Sequence, residues 1–370
     1  MDVEFHYYMT YLIAVKSGFE NKQAQTIAYS SQYIDDNDII FNIAQGTEDH
    51  YKNYISQTKN ITKPRKKLFR IYPLFHFIPG DPLTEKARRR DGKLHYLNTT
   101  PDNDNANQLL DAALTTNNLY KIGMAVHAFA DTYAHQNFAG YYDAFNSLKG
   151  ILKKSPSKIG HASAGHKPDI PNLIWNDQRL LTQNSERNNK EIFLKAAAHI
   201  FEKLKRHNHP EVNTEELKKE KEDLLVDLSA AVGETTSEYS FFKNIFLKGE
   251  QKKRISNYLK LSSKKYYGGS RLEKYNAFKW LNQVLINKIK LSWIKFKRKI
   301  PYLSVLLEFL AEKFDKITGL HLTYRYHWQD SSSYKKSRWY QFQEAVKELQ
   351  DTAEEIIGEN VFSKMELEEL

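Results

Sequence analysis

The stretch His127-Ala-Phe-Ala-Asp131-Thr-Tyr-Ala-His135 carries the strongest indication of fold and function in the sequence. It spaces two histidines and a carboxylate by four residues, and residues i and i+4 of an α-helix lie on one face. His127 and His135 would then be roughly 12 Å apart along the helix axis, which is too far for both to bind one ion easily. Asp131, midway between them, would bridge two ions, each also held by one histidine. The spacing therefore predicts a helix that holds a cluster of metal ions, as two-metal hydrolases require.

Helical periodicity continues on both sides of this stretch. We expect helices over residues 7–19, 21–33, 106–115, 118–139, 186–205 and 214–232, and again from residue 243. No segment shows sustained strand alternation, and there is no internal repeat. The sequence therefore predicts an all-α, multi-helix bundle in two parts. These are a metal-dependent hydrolase-like helical domain over residues 1–205, and a basic helical extension with an acidic C-terminal tail over residues 206–370.

The composition narrows the possible chemistry. Of the 370 residues 41% are hydrophobic, enough for a sizeable core, and none is cysteine. Disulfides, iron–sulfur clusters, thiolate zinc sites and cysteine nucleophiles are therefore excluded, so any metal must be held by nitrogen and oxygen atoms. The N-terminal segment has two acids and no basic region, and no run of about 18 apolar residues occurs. We expect a cytoplasmic protein, with export by a secretion system that needs no signal peptide as the alternative.

Charge is unevenly distributed along the chain, whose formal net charge is +10. Residues 243–299 hold 17 Lys/Arg and 2 Glu, a net charge of +15, whereas residues 341–370 hold 9 acids and 2 Lys, a net charge of −7. This imbalance predicts an anionic partner, either a phospholipid or anionic membrane surface or a nucleic acid. Residues 288–310 interleave cations with aromatic and aliphatic side chains, which suits lipid binding, nucleic-acid binding or an amphipathic core helix. The oligomeric state is left open.

A second group of candidate metal ligands lies in the loop Gly160-His-Ala-Ser-Ala-Gly-His-Lys-Pro-Asp169. His161, His166 and Asp169 offer nitrogen and oxygen donors, and the small residues between them leave room for an ion and water. The alternative interpretation of these groups, and of the helix motif, is a buried polar network that satisfies its own hydrogen bonds.

Further candidate ligands lie nearer the N-terminus, beginning with His6. Three acids end the second predicted helix: Asp35, Asp36 and Asp38. Acids at a helix end are most often a solvated cap, but beside histidines they are suitable oxygen ligands. His76 lies in the proline-bracketed segment Tyr72-Pro-Leu-Phe-His-Phe-Ile-Pro-Gly80. We prefer it as a further ligand over its competitor His50, which follows the acids more closely.

With these residues in place, the first 200 residues resemble the zinc-dependent phospholipase C superfamily. The likeness rests on the helix motif, a histidine near the N-terminus, an aspartate after the second predicted helix and a further histidine past the motif. It is greatest to the branch that contains the catalytic domain of glycosylphosphatidylinositol-specific phospholipase D, and the superfamily also includes single-strand-specific nucleases. The same half resembles an uncharacterised bacterial family that shares the opening segment and Phe75-His-Phe-Ile-Pro-Gly80.

The resemblance implies an all-α bundle of the zinc-dependent phospholipase C type that binds two or three zinc ions. It implies the following ligands: His6, Asp35 or Asp36, His76, His127, Asp131, His135, His161 or His166, and Asp169. Secreted members of the superfamily also bind zinc through the amine of an N-terminal tryptophan. This chain begins with Met1 and shows no cleavable signal, so we expect that ligand to be missing.

Such a centre would hydrolyse phosphodiesters. Zinc lowers the pKa of bound water towards about 7, and Asp131, Asp35 or Asp36 would orient that water and take its proton. We therefore expect a metal-dependent phosphodiester hydrolase that acts on phospholipid head groups. The alternatives are a nuclease of the same superfamily and a non-enzymatic secreted bacterial effector with a degenerate metal site. The chain lacks His-Glu-x-x-His, His-Asp and a P-loop, which argues against zincin proteases, HD-type phosphohydrolases and nucleotide-dependent enzymes.

Overall fold

The structure of the chain is a computed structural model that describes residues 1–58, 68–148, 159–237, 244–286 and 326–365. Within these ranges the chain is mostly helical, as the sequence predicts. Two segments with expected roles lie outside the described residues. They are residues 288–310, which interleave cations with apolar side chains, and residues 366–370 of the acidic tail. None of the helices in the described ranges is both long and apolar enough to cross a membrane.

The helices are numbered here along the chain. The described α-helices are α1 (Thr10–Lys16), α2 (Asn21–Asp36), α3 (Asp104–Thr115), α4 (Leu119–Ala134), α5 (Thr182–Ser185), α6 (Asn189–Asn208), α7 (Thr214–Val232), α8 (Asn244–Ser262) and α9 (Arg338–Asn360). Two segments are π-helical: Glu4–Met9 and Tyr72–His76. Short 3-10 turns are formed by Glu85–Ala87, Ala144–Asn146, Lys167–Asp169, Lys265–Tyr267, Leu281–Gln283, Tyr334–Lys336 and Phe362–Met365.

Small β-sheets accompany the helices, although no strand is expected from the sequence. The described strands are β1 (Asn42–Ile43), β2 (Tyr51–Lys52), β3 (Leu173–Asn176), β4 (Glu186–Asn188), β5 (Thr236–Ser237), β6 (Leu285–Ile286) and β7 (His327–Trp328). β1 pairs antiparallel with β2 and β6 with β7, while β3 pairs antiparallel with β4 and parallel with β5. A strand of two to four residues is too short to show the alternation by which strands are recognised.

Contacts divide the chain into two compact units. The first unit comprises Met1–Ile34, Pro64–Tyr275 and Glu348–Leu370, and the second comprises Asp35–Lys63 and Asn276–Lys347. The boundary between these two contact units therefore differs from the boundary expected after residue 205. The functional separation expected at that residue stays a prediction.

Helix α4 is the central element of the first unit. Every residue from Ile122 to Ala134 is buried, and the helix packs against α3, α6 and the π-helical turn Tyr72–His76. Such a helix needs small residues where a neighbour comes close, and Gly123 is one of them. A Cβ at this position would lie 2.3 Å from the backbone oxygen of Ile27 in α2. Asn118 caps the first turn of α4 by accepting hydrogen bonds from two backbone N–H groups.

A buried ion pair fixes the N-terminal π-helical segment. Arg254 of α8 donates hydrogen bonds of 2.9 and 2.8 Å to the two carboxylate oxygens of Glu4. Gln251 of the same helix donates a hydrogen bond of 3.0 Å to the carboxylate of Asp2. Helix α8, which belongs to the expected C-terminal extension, therefore positions the segment that carries His6.

The second unit is organised around aromatic side chains. The rings of Trp328 and Tyr334 stack with centroids 4.0 Å apart. Trp339, at the start of α9, is fully buried and packs edge-on against Tyr51 and Phe41. Buried aromatic rings of this size dominate the stability of a small core, so this unit has a core of its own.

Candidate metal centre

The predicted helix motif lies inside a buried cluster of the first unit. His127 and Asp131 share one face of α4, with His127 Nε2 3.1 Å from Asp131 Oδ2. The helix, expected to reach residue 139, ends at Ala134, and His135 is its C-terminal cap. The Nδ1 atom of His135 still lies 3.5 Å from Asp131 Oδ2. All three residues are buried, with at most 4% of their surface exposed. Their polar atoms therefore need partners inside the protein.

His6 joins His127 and Asp131 in what we call the first ligand group. One ligand atom from each residue lies within 4.8 Å of the other two. His6 Nε2 is 3.1 Å from Asp131 Oδ1, and the His6 ring stacks on the His127 ring with centroids 3.9 Å apart. The π-helical segment Glu4–Met9 carries His6, and this rare backbone geometry is frequent at functional sites.

His135, His161 and Asp169 form the second ligand group, whose ligand atoms also lie within 4.8 Å of one another. His135 Nε2 is 3.6 Å from Asp169 Oδ1, and His161 Nε2 is 3.8 Å from Asp169 Oδ2. His166, the alternative to His161, is also 3.8 Å from Asp169 Oδ2, but its side chain is 91% exposed against 22% for His161. The structure therefore places His161 within the cluster and His166 at its exposed edge.

Backbone carbonyls orient both histidines of the second ligand group. His135 Nδ1 lies 2.7 Å from the carbonyl oxygen of His76, and His161 Nδ1 lies 2.9 Å from that of Gly165. A carbonyl oxygen can only accept a hydrogen bond, so each ring must carry a proton on Nδ1. In a neutral ring this leaves Nε2 with a lone pair, and both Nε2 atoms face Asp169. Metal-binding histidines are usually held in this way.

The backbone nitrogen of Met1 was not among the predicted ligands. It lies between the two ligand groups, 2.5 Å from Asp131 Oδ1, 3.4 Å from His135 Nε2 and 3.5 Å from Asp169 Oδ1. The structure thus contradicts the expectation that the amine is missing from the centre. The resemblance to the phospholipase C superfamily could have indicated this position. In that superfamily the zinc ligand is the amine of the first residue and not its side chain. Asp131, predicted to bridge two ions, contacts members of both groups.

Burial lowers the pKa of two histidines of the cluster, His6 and His135. Burial, assisted by the positive charges of His127 and of the Met1 amine, lowers the pKa of His6 to about 3 against the opposing effect of Asp131. Burial also lowers the pKa of His135, again against Asp131. Because a metal ion binds only a deprotonated ring nitrogen, this shift prepares both side chains for coordination.

The two carboxylates of the cluster stay ionised. Burial alone would raise the pKa of Asp131, but the electrostatic effects of the neighbouring His135, Met1 amine and His127 hold it well below its usual range. The pKa of Asp169 is likewise held well below its usual range, chiefly by His161, although burial opposes this. An ionised carboxylate is the form that binds a cation.

This donor set fits a divalent metal ion. The Nδ1 atom of His6 is buried and forms no hydrogen bond with any residue in the described ranges, which is a costly state unless something else binds it. Ligand atoms about 2.0–2.2 Å from a tetrahedral zinc ion are separated from one another by about 3.3–3.6 Å. The nitrogen–oxygen separations within the two ligand groups are similar, between 3.1 and 3.8 Å.

His76 lies beside the first ligand group, whereas its competitor His50 does not belong to the first unit. His76 Nδ1 is 3.1 Å from His127 Nε2 and 3.6 Å from Asp131 Oδ2. The second π-helical turn, Tyr72–His76, brings it there. His50 is exposed in the second unit, with Nε2 3.3 Å from the side-chain oxygen of Asn42.

The acids expected near the centre lie where α2 ends. Asp35 and Asp36 are the last two residues of this helix, Asp38 follows it, and all three are half-buried. Contacts group them with the second unit. Their predicted roles as ligands or proton acceptors stay predictions.

Comparison with known proteins gives a family but no function. Residues 1–357 match the profile of a Family of unknown function (DUF6765). The chain belongs to the DUF6765 family. No curated protein and no solved structure matches it. The resemblance of this DUF6765 protein to the zinc-dependent phospholipase C superfamily therefore rests on its own candidate ligands.

Close packing also holds the second ligand group of the DUF6765 protein. The Phe77 ring stacks on the His135 ring with centroids 4.5 Å apart and an interplanar angle of 21°. Gly160 lies directly against Phe77, because a Cβ at this position would be 2.3 Å from the ring. Its positive φ of +50° also favours glycine. Gly160 thus lets the loop that carries His161 approach Phe77 and His135.

Proposed function

We propose that this DUF6765 protein is a metal-dependent phosphodiester hydrolase that acts on phospholipid head groups. The observation that carries the proposal is that the two ligand groups meet at the Met1 nitrogen. This nitrogen lies 2.5 Å from Asp131 Oδ1 of the first group and 3.4 Å from His135 Nε2 of the second. Neighbouring divalent-ion sites built from nitrogen and oxygen donors are a common solution for phosphodiester hydrolysis, as in phosphatases and nucleases.

The two ligand groups have separate tasks in this proposal. Each would hold one ion, and His76 would contribute to a third where three are bound. Imidazole and carboxylate donors without thiolates suit zinc. Bound ions supply the Lewis acidity that makes water a nucleophile near neutral pH and polarises a phosphoryl oxygen.

The side chain of Asp131 orients the reacting groups. Because its pKa is held well below its usual range by His135, the Met1 amine and His127 against the effect of burial, it stays ionised and accepts hydrogen bonds. A carboxylate with a low pKa is a weak proton acceptor near neutral pH. The proton of the attacking water is therefore assigned to Asp35 or Asp36, an assignment that rests on the sequence. It predicts a lower turnover number in Asp35→Asn or Asp36→Asn at unchanged metal content.

The choice of phospholipid rests on charge and on the resemblance. A formal net charge of +10 favours an anionic substrate surface. The resemblance is greatest to a branch that cleaves phospholipid-type head groups. The same charge also favours nucleic acid, so a nuclease is the second candidate.

The first experiment measures metal content. Elemental mass spectrometry of the purified full chain should find two or three zinc ions per chain. The variant His127→Ala should lose at least one of them, because it removes a donor of the first ligand group. His50→Ala is the matched control, since this histidine is exposed in the second unit, and it should keep the full content. A well-folded protein without metal would overturn the proposal and favour the non-enzymatic effector.

The second experiment assigns the substrate. The metal-loaded protein is incubated with phosphatidylcholine vesicles, phosphatidylglycerol vesicles and single-stranded DNA, and the phosphate-containing products are separated. We expect head-group release from vesicles that stops when a chelator removes the metal. Cleavage of DNA with intact lipid would replace the phospholipase by the nuclease.

A further inference from the structure

A large cavity in the first unit lies apart from the two ligand groups. Its volume is about 1100 Å³, which is ample for a small-molecule ligand. None of the residues of the two ligand groups lines it, but Tyr133 of α4 does. Tyr133 follows Asp131 by two positions, so the two side chains leave the helix on opposite sides. The cavity and the metal centre therefore use different faces of α4.

Two helices present polar side chains to this cavity in matching pairs. Asp104 and Gln108 are four residues apart on α3, and Lys195 and His199 are four residues apart on α6. Each pair therefore lies on one face of its helix. Among the described residues, the side chains of Asp104, Gln108 and Lys195 have no hydrogen-bond or ion-pair partner. The two helices thus offer a carboxylate, an amide, an ammonium group and an imidazole to a ligand.

Two neighbouring side chains fix the position of the His199 ring. Its Nδ1 atom lies 2.6 Å from the hydroxyl of Tyr133 and 3.1 Å from Asp102 Oδ2. Asp102 is itself held by a hydrogen bond of 3.0 Å from the side-chain amide of Asn107. Both contacts are made by Nδ1, so the ring cannot turn without breaking them.

The cavity also has apolar lining residues. Leu83, Leu94 and Tyr96 line it with exposed fractions of 64%, 56% and 56%. Exposed apolar side chains gathered at one cavity are typical of a ligand site. An aromatic ring and aliphatic side chains are groups against which the C–H face of a cyclic ligand can pack.

The charged side chains that line the cavity do not favour binding of an anion. Four carboxylates line it, from Asp81, Glu85, Asp102 and Asp104, against the two ammonium groups of Lys86 and Lys195. A phosphate group would be repelled by the carboxylates. Hydroxyl groups, which both donate and accept hydrogen bonds, match the mixture of donors and acceptors.

We propose that this cavity binds a neutral oligosaccharide. Sugar rings would pack against Tyr96 and Leu94, while their hydroxyl groups pair with the polar side chains of α3 and α6. The volume has room for more than one ring. This site is separate from the proposed hydrolase, and its occupation does not depend on the metal.

Binding is tested on the full chain with three unbranched sugars: maltopentaose, cellopentaose and chitopentaose. Isothermal titration and saturation-transfer NMR should detect saturable binding of at least one of them. Tyr96→Ala removes an apolar lining side chain and Gln108→Ala removes a polar one, and each should weaken that binding at least tenfold. Tyr266→Ala is the matched control, because this tyrosine is 51% exposed in the first unit but does not line the cavity. It should bind as the unaltered protein does.

Inorganic phosphate and spermidine are titrated alongside as an anion and a cation. Circular dichroism establishes that each variant is folded. Failure of all three sugars to bind the folded protein overturns the proposal. So does sugar binding that Tyr96→Ala and Gln108→Ala leave unchanged. Saturable binding of phosphate or spermidine that Gln108→Ala abolishes, in place of sugar binding, assigns the cavity to a charged ligand instead.

Discussion

The Nδ1 nitrogen of His135 lies 2.7 Å from the backbone carbonyl oxygen of His76. Because the carbonyl can only accept, this hydrogen bond places the ring proton on Nδ1 and leaves Nε2 for Asp169. It also joins the end of the central helix α4 to the second π-helical turn. One hydrogen bond therefore sets the tautomer of one candidate ligand and the position of another.

The first prediction separates the two loop histidines. His161→Ala should reduce the zinc content of the purified protein by about one ion per chain, because it removes a donor of the second ligand group. His166→Ala should leave the content unchanged, because this side chain is 91% exposed. Elemental analysis after dialysis against a weak chelator measures both. Equal losses in the two variants would contradict the assignment of His161.

The second prediction concerns the stability of the metal-free protein at low pH. Burial lowers the pKa of His6 from 6.5 to about 3, so the folded state binds fewer protons than the unfolded chain between these values. The contribution of the neutral ring is fully present above about pH 6.5 and is lost as the pH falls towards 3. We expect a loss of about 5 kcal/mol across this window.

Urea unfolding of chelator-treated protein at about pH 7.5 and about pH 5 measures this dependence. His6→Gln is the comparison, because glutamine does not titrate. The free energy of unfolding of this variant should fall less steeply with decreasing pH than that of the unaltered protein. Identical slopes would show that His6 is not the titrating group.

The third prediction concerns close packing at Phe77. Gly160→Ala should destabilise the protein by about 2–4 kcal/mol, since the new methyl group meets the Phe77 ring and φ is positive. Gly165→Ala is the matched control, because φ is also positive there but no heavy atom lies within 4 Å of its Cβ. Gly165→Ala introduces the backbone strain without a steric contact, so it should lower the free energy of unfolding by only about 1 kcal/mol. Thermal unfolding of both variants measures the difference, and equal costs would exclude the contact with Phe77.

Local spacing was sufficient to predict the motif of α4. His127 and Asp131 are separated by one helical turn, so their contact follows from helix geometry alone. His161 and Asp169 belong to one short loop, and loop closure brings them near each other. The helical character of the chain was predictable for the same reason, because amphipathic periodicity is a local property.

Contacts between distant segments were not predictable in this way. The Met1 nitrogen lies beside Asp131 across 130 residues, and no pattern within either segment indicates this. The choice between His76 and His50 also depended on tertiary packing, since both are single histidines in short segments. The helix was expected to reach residue 139 but ends at Ala134. Element boundaries are the least certain part of a pattern-based prediction.

The last prediction links the C-terminal half of the chain to the metal centre. Arg254→Ala should lower the free energy of unfolding by about 3–5 kcal/mol, because it leaves the carboxylate of Glu4 buried without its partner. The same loss should loosen the π-helical segment that carries His6 and weaken zinc binding, which a competing fluorescent chelator measures. Lys203→Ala is the matched control, since its ion pair with Asp111 has a similar length of 2.7 Å but is partly exposed. This control should cost at most about 1 kcal/mol and leave zinc binding unchanged. If Arg254→Ala proves as mild as Lys203→Ala, the buried pair does not hold the N-terminal segment in place.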